Sequence, residues 1–289
     1  MNFLVERIAS AKTFLDRSES FRNAKPIETN VIGSIATTTE SSAKIDPTSF
    51  WWIVRHDDEV VGIATRTTPH RLNLSPMPDG AAGELARVIL ASDPMCWGVT
   101  GPEEIASAFV KHWCALTGKS RTDFPLHERQ TLYVLGEHTP FTSVPGNARQ
   151  SHVDDLSLLV KWMRAFVKET GGIMAVSEAD LQARVLASTF IIWEMDGTPV
   201  AMSRLASTIA QPEGMIGRIG VVYTTPENRG NGYGAAVTSA MIKHLNAVGC
   251  STITLHTDSD YEKSNRVYQK LGFLPVGAFV ELGVEPSDI

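Results

Sequence analysis

Ile219-Gly220-Val221-Val222-Tyr223-Thr224-Thr225-Pro226-Glu227-Asn228-Arg229-Gly230-Asn231-Gly232-Tyr233-Gly234-Ala235 is the stretch that decides how this chain is read. A β-rich run stops at a proline, a glycine-dense loop follows, and an amphipathic helix begins. Glycine tolerates left-handed and crowded backbone, so such a loop brings successive N–H groups close to an anion. The first N–H groups of the helix have no intrahelical acceptor, and the helix dipole favours negative charge at the same place. In physical terms the stretch is a cradle for a pyrophosphate. Three glycines at alternate positions exceed what a plain turn needs. No Gly-Lys-Ser/Thr follows, which excludes a P-loop. Gly230, Gly232 and Ala235 do fit G-x-G-x-x-A, with Asp258 near the end of the next strand. That dinucleotide fingerprint needs a tight strand-to-helix turn, however, and polar residues and a proline intervene here.

Working outward, the segment 154–170 has Leu156, Leu159, Val160, Met163, Phe166 and Val167 at helical spacing and stops at Gly171-Gly172. A second helix is expected from about Glu178, then a β-hairpin through Asp196-Gly197, then a strand over 215–224. A long helix over 232–248, a strand over 252–257, a helix over 262–271 and a strand over 273–281 complete this half. Hairpin and helical crossovers together predict an α/β (α+β) fold with a mixed central sheet flanked by helices. A Pro- and Gly-bearing segment, 137–151, reads as a linker, which divides the chain into domains 1–140 and 150–289.

The half before the linker repeats the layout. Trp51-Trp52-Ile53-Val54 runs through Asp57-Asp58 into Val60-Val61-Gly62-Ile63-Ala64. Phe190-Ile191-Ile192-Trp193 runs through Asp196-Gly197 into Val200-Ala201-Met202-Ser203. The two align without gaps at an offset of 139 residues. Around the first hairpin the sequence predicts helices before residue 45, a helix over 80–90, a strand over 95–99, a helix over 103–116 and a strand over 130–135. Residues 1–14 read as the start of an amphipathic helix. Trp51, Ile53, Val61 and Ile63 alternate like one buried sheet face. Ser75-Pro76-Met77-Pro78-Asp79-Gly80-Ala81-Ala82-Gly83-Glu84 occupies the place of the glycine loop. Its prolines remove N–H donors and its acids repel a pyrophosphate.

Arg229-Gly230-Asn231-Gly232-Tyr233-Gly234 fits the R/Q-x-x-G-x-G/A signature of the GNAT superfamily of acyl-CoA N-acyltransferases. The segment 255–273, ending Ser264-Asn265-Arg266-Val267-Tyr268-Gln269-Lys270-Leu271-Gly272-Phe273, resembles the next motif of that superfamily, about 34 residues on. The resemblance covers roughly residues 150–281, and the first half resembles the degenerate N-terminal partner of tandem GNAT proteins. It implies that acetyl-CoA binds through Arg229, Gly230, Asn231, Gly232, Tyr233, Gly234 and Ala235. The pantetheine arm is then expected to pair with the strand at Val221, Val222 and Tyr223. Tyr268 takes the role of general acid toward the departing thiolate; the alternative is an aromatic that only packs its helix onto the sheet. Many relatives have an asparagine seven residues before this tyrosine, where Tyr261 stands here. Asn265, on the same helix face as Tyr268, is either a substitute contact or a solvent-facing residue. Glu194, Glu213 and Asp258 lie near strand ends as candidate bases or as solvated carboxylates.

The implied activity is transfer of an acetyl group from acetyl-CoA to a small-molecule or peptide amine by direct attack in a ternary complex. Cys96, Cys114 and Cys250 fall in neither motif, which disfavours a covalent intermediate. The alternative is a non-catalytic acyl-CoA-binding regulatory or scaffold module. The net charge of −6 over 289 residues and the absence of a basic stripe argue against a nucleic-acid partner. His56, His70, His112 and His127 make no metal pair. No apolar run is long enough for a bilayer, and three free thiols without a zinc-type spacing fit a reducing, cytoplasmic setting.

Overall fold

The computed structural model describes residues 2–41, 49–92, 96–141, 143–171, 178–187 and 189–284. The expected Gly172 helix stop, residues 42–45 of the N-terminal helices and Met95 of the expected strand lie outside these residues. The first half runs β1 (Phe3–Ile8), α1 (Ala11–Ala24), α2 (Asn30–Ser41), β2 (Ser49–His56), β3 (Glu59–Thr67), β4 (Leu72–Leu74), α3 (Asp79–Ser92), β5 (Gly98–Pro102), α4 (Glu103–Thr117) and β6 (Leu126–Leu135). The second half repeats that order as β7 (Asn147–Gln150), α5 (Leu156–Thr170), α6 (Glu178–Leu186), β8 (Phe190–Met195), β9 (Thr198–Gln211), β10 (Gly214–Thr224), α7 (Tyr233–Ala247), β11 (Cys250–Asp258), α8 (Glu262–Lys270) and β12 (Phe273–Gly283). Each half therefore reads β-α-α-β-β-β-α-β-α-β. Among the described residues the non-glycine positions with positive φ are Asp57 and Asp196, one in each hairpin turn and 139 apart.

The compact units do not divide at the linker. One comprises Met1–Thr131, Asp258–Asp260 and Gly277–Ile289, and the other Leu132–Thr257 and Tyr261–Val276. The division falls inside β6, earlier than the expected 140–150, because the last residues of each half join the other half's unit. In the first unit, β1 to β5 follow one another across the sheet and the end of β12 pairs antiparallel with β5, Phe279↔Pro102 through Gly283↔Gly98. In the second unit, β7 to β11 follow in the same manner, with β6 beside β11.

Three expectations are corrected. Residues 3–8 form a strand, not a helix: β1 pairs antiparallel with β2 from Phe3↔His56 to Ile8↔Trp51, and the helix starts only after Ser10, whose side chain accepts from the Thr13 N–H. The supposed linker contains β7, paired with β8. The Trp51 strand is buried on both faces. Trp51, Trp52, Ile53 and Val54 are all 0–2% exposed. Trp51, Ile53 and Ile63 pack with Phe14 and Ile32 of α1 and α2, while Trp52, Val54 and Ala64 pack with Leu85 and Phe109 of α3 and α4. Helices cover both faces, so alternation gives way to a continuous apolar run.

The second unit has the same two-sided core. Ile219, Ile253, Leu255, Val237, Met241 and Leu245 join β10 and β11 to α7. Leu159, Trp162, Met163, Phe190, Ile192 and Met202 join the opposite face to α5 and α6. Among the described residues no helix is long and apolar enough to cross a membrane.

Candidate active site

The geometry that matters in the second unit starts with two parallel neighbours, β10 and β11. Their register runs from Met215↔Cys250 to Ile219↔Leu255, whereas β10 continues to Thr224 and β11 to Asp258. On its other side β10 breaks register with β9 between Arg218 and Ile219 and again between Ile219 and Val222. Gly220 and Val221 thus lie where β10 leaves the regular ladder on both sides, and an extended ligand can pair with free backbone there.

Beyond Thr224 the chain makes a 3-10 turn over Pro226–Asn228 and reaches α7 through the glycine loop. Asn228 Nδ2 donates to Thr225 Oγ1 (2.8 Å) and Asn231 Nδ2 to Asn228 O (3.1 Å), which stiffens the turn. Gly230 has φ +84 and Gly232, the N-cap of α7, has φ +85. Both conformations favour glycine. A Cβ on Gly230 would meet nothing within 4 Å, so the loop is open there, whereas one on Gly232 would meet Phe141 and Val144 at 3.0–3.1 Å. The N–H groups of Tyr233, Gly234 and Ala235 open α7 with no helical carbonyl before them. This donor set lies beside a loop that is open at Gly230, as a helix start able to meet an anion.

Arg229 lies beside this loop with its guanidinium 5.6 Å from the Tyr223 ring centroid. It donates from Nε to Thr224 O (3.1 Å) and pairs with Glu169 of α5 at 2.6 Å. Its charge is thus already shared with a carboxylate. Tyr223 itself is buried against Trp162, and its pKa is raised by burial first and by Glu169 next.

On α8, Tyr268 is 9% exposed, its ring 6.5 Å from Tyr133 and 6.0 Å from Phe273. Burial pushes its phenol up to about 12. Among the described residues its hydroxyl makes no hydrogen bond. Asn265 is buried, not solvent-facing: its Nδ2 donates to Tyr261 O (3.0 Å) and its Oδ1 accepts from the Tyr133 hydroxyl (3.0 Å). Gln269 Nε2 donates to the same hydroxyl at 3.2 Å. Asn265 therefore ties α8 to β6, and Tyr133 is a neighbour of Tyr268 that the motifs give no reason to single out.

The three candidate bases have other partners or surroundings. Glu194 accepts from Arg149 at 2.7 Å, Glu213 is exposed in a turn, and Asp258 accepts from the Asp260 N–H at 2.8 Å. No group of three or more potential metal ligands occurs among the described residues.

In the first unit the corresponding strand-to-helix loop is closed. Ser75 Oγ accepts from the Ile63 N–H (2.8 Å), and the Ala81 and Ala82 N–H groups both donate to Pro78 O. Met77 is buried in the core, and a Cβ on Gly80 would strike the Phe3 ring at 2.9 Å. The Ala81 and Ala82 donors are taken, and no room is left at Gly80.

Residues 158–273 match the model of the acetyltransferase (GNAT) family. Among its relatives is a mycothiol acetyltransferase of Paenarthrobacter aurescens, 46% identical over 63 residues, which are 22% of this chain and 20% of that protein. The chain thus matches about a fifth of that relative's length. The fold extends over both halves. An acetyltransferase from the GNAT family of Colwellia psychrerythraea superposes with a TM-score of 0.57 at 14% identity, covering 97% of this chain and 99% of that one. A tandem GNAT protein from the clavulanic acid biosynthesis pathway does so with a TM-score of 0.55 at 12% identity, covering 98% of each chain.

Proposed function

We propose that the chain is an N-acetyltransferase that moves an acetyl group from acetyl-CoA to an amine, with one working site, in the second unit. The observation that carries this reading is the open loop at Gly230, with the first N–H groups of α7 aimed past it, at the end of a strand that leaves its ladder. The N–H groups of Tyr233, Gly234 and Ala235 and the side chain of Arg229 would hold the pyrophosphate. The backbone of Val221, Val222 and Tyr223 would hold the pantetheine, as a strand takes an added neighbour. The relative's acetyltransferase name and the family domain support acetyl as the group moved.

The amine attacks the thioester carbonyl, the C–S bond breaks, and the amine's proton leaves to solvent. Tyr268 faces the departing sulfur with a hydroxyl that burial keeps protonated at every physiological pH. A free thiol titrates near 8.5, so a phenol near 12 stabilises a thiolate mainly by donating a hydrogen bond. The proton that the amine gives up reaches the sulfur through solvent, so CoA leaves as the thiol and Tyr268 keeps its own proton. The free thiols Cys96, Cys114 and Cys250 fit a reducing, cytoplasmic setting.

Release of free thiol from acetyl-CoA, followed across a panel of primary amines, tests the reading. Amine-dependent release supports it. Acetyl-CoA binding without release for any amine would leave a non-catalytic acyl-CoA-binding module instead.

A further inference from the structure

Two buried tyrosines of the second unit, Tyr133 and Tyr268, lie ring to ring, and their hydroxyls are differently engaged. Tyr133 of β6 is 2% exposed. Its hydroxyl donates to Asn265 Oδ1 at 3.0 Å and accepts from Gln269 Nε2 at 3.2 Å. A phenol has one proton to give, so that of Tyr133 is committed inside the protein. The Tyr268 ring is 6.5 Å away, and its hydroxyl proton is uncommitted among the described residues.

Both partners of Tyr133 stand on α8 beside Tyr268. Asn265 is three positions before Tyr268 and four before Gln269, spacings that place all three on one side of the helix. That helix needs an anchor. It spans nine residues, Glu262–Lys270, and isolated helices shorter than about 12–15 residues are marginal. Its N-cap, Tyr261, gives the first turn no side-chain bond. Ser264 Oγ and Asn265 Nδ2 both donate back to the Tyr261 carbonyl at 3.0 Å instead. The Asn265 amide is therefore a bridge, with its nitrogen on the start of α8 and its oxygen on β6.

Ring contacts hold Tyr268 from two sides, with Tyr133 at 54° and Phe273 at 75° to its plane. Such contacts tolerate small rotations, whereas a hydrogen bond is directional and weakens steeply off line. The Tyr133 hydroxyl, joined to α8 at two points, thus sets the rotation of that helix and with it the aim of the Tyr268 phenol. We propose that Tyr133 is a positioning residue for acyl transfer, holding α8 through Asn265 and Gln269 so that the Tyr268 hydroxyl meets the departing sulfur. This assignment rests on the acyl-transfer reading above, in which Tyr268 donates to that sulfur.

Thiol release from acetyl-CoA with glucosamine, ethanolamine, putrescine and glycinamide as probes supplies the assay, the fastest amine being carried forward. Tyr133→Phe keeps the ring and removes the hydroxyl. It should lower kcat by about 10–100-fold, as expected when a reacting group is displaced by up to about 1 Å. The KM for acetyl-CoA should change by less than about 2-fold, because no ground-state contact is lost. Adding Tyr133→Phe to Tyr268→Phe should cost no further activity, since the group that Tyr133 aims is already gone. Gln269→Leu, at an exposed position, removes one of the two bonds without touching the core. It should lower kcat in the same direction with KM unchanged, which keeps the assignment testable should Tyr133→Phe fail to fold. Wild-type kcat in folded Tyr133→Phe or in Gln269→Leu would overturn the assignment. So would a full, additive loss when Tyr133→Phe is combined with Tyr268→Phe, which would make Tyr133 a purely structural residue. Undiminished turnover of Tyr268→Phe, or no thiol release by the wild type with any probe, would instead overturn the reading on which it rests.

Discussion

In the proposed mechanism, Tyr268 is the residue on which the chemistry turns. Tyr268→Phe keeps the ring contacts with Tyr133 and Phe273 and removes only the hydroxyl, so turnover should fall by roughly 10²–10⁴-fold while acetyl-CoA affinity holds. Single-turnover measurements check this, and near wild-type rates would make Tyr268 a packing residue. Because burial raises the phenol to about 12, loss of this proton should not depress turnover near pH 10. The unfolded chain releases it near 10 and the folded chain near 12, so stability falls as pH rises through that window. The sequence made Tyr268 and the glycine loop legible because their spacing is a motif. Tyr133 was not legible, for a physical reason. Tyr133 sits on β6, far in sequence from the helix it touches.

At the level of elements, the long periodic helices and the two hairpins could be read directly, whereas the short edge strands could not. β1 was hidden because Phe3-Leu4-Val5-Glu6-Arg7-Ile8 mixes charges into a strand that α1 and β2 cover. β7, four residues long, carries one polar clasp in place of apolar alternation. Its Arg149 donates to Asp155 Oδ1 and Oδ2 at 2.8 and 2.6 Å and to Glu194 at 2.7 Å, and Asp155 also accepts from the His152 N–H. The Arg149 hydrogen bonds hold the Asp155 carboxyl below its usual range. That stability is present above the ordinary carboxylate value, near 3.9, and is lost as pH falls through the depressed one. Asp155→Asn should cost about 1–2 kcal/mol at pH 7, the partial exposure of Arg149 keeping it at the lower end. Urea melts should show the gap to wild type closing below pH 4; equal stability at pH 7 would remove the clasp from the account.

Over the whole molecule, the same ten-element order occurs twice, yet only one copy keeps an open, donor-rich loop. The duplication was visible as the 139-residue offset of the hairpins, and the structure puts a positive-φ aspartate at the same point of each. That each half's last strand is divided between the two units was not visible, because β6 and β12 each look like the natural close of their own half. On the proposed function, this asymmetry predicts one acyl-CoA per chain, held at the start of α7. Gly234 is the position to test it: a Cβ there has its nearest neighbour, Thr224 Oγ1, at 3.5 Å. A side chain at Gly234 therefore fits the folded protein, and an acid in the first helical turn suits the dipole. At Gly232 the clash with Phe141 and Val144 would confuse folding with binding. Calorimetric titration with a non-hydrolysable acetyl-CoA analogue should saturate at one equivalent in the wild type and show no measurable binding in folded Gly234→Asp. Two equivalents, or binding that survives Gly234→Asp, would contradict the assignment of the loop at 229–235 as the single acyl-CoA site.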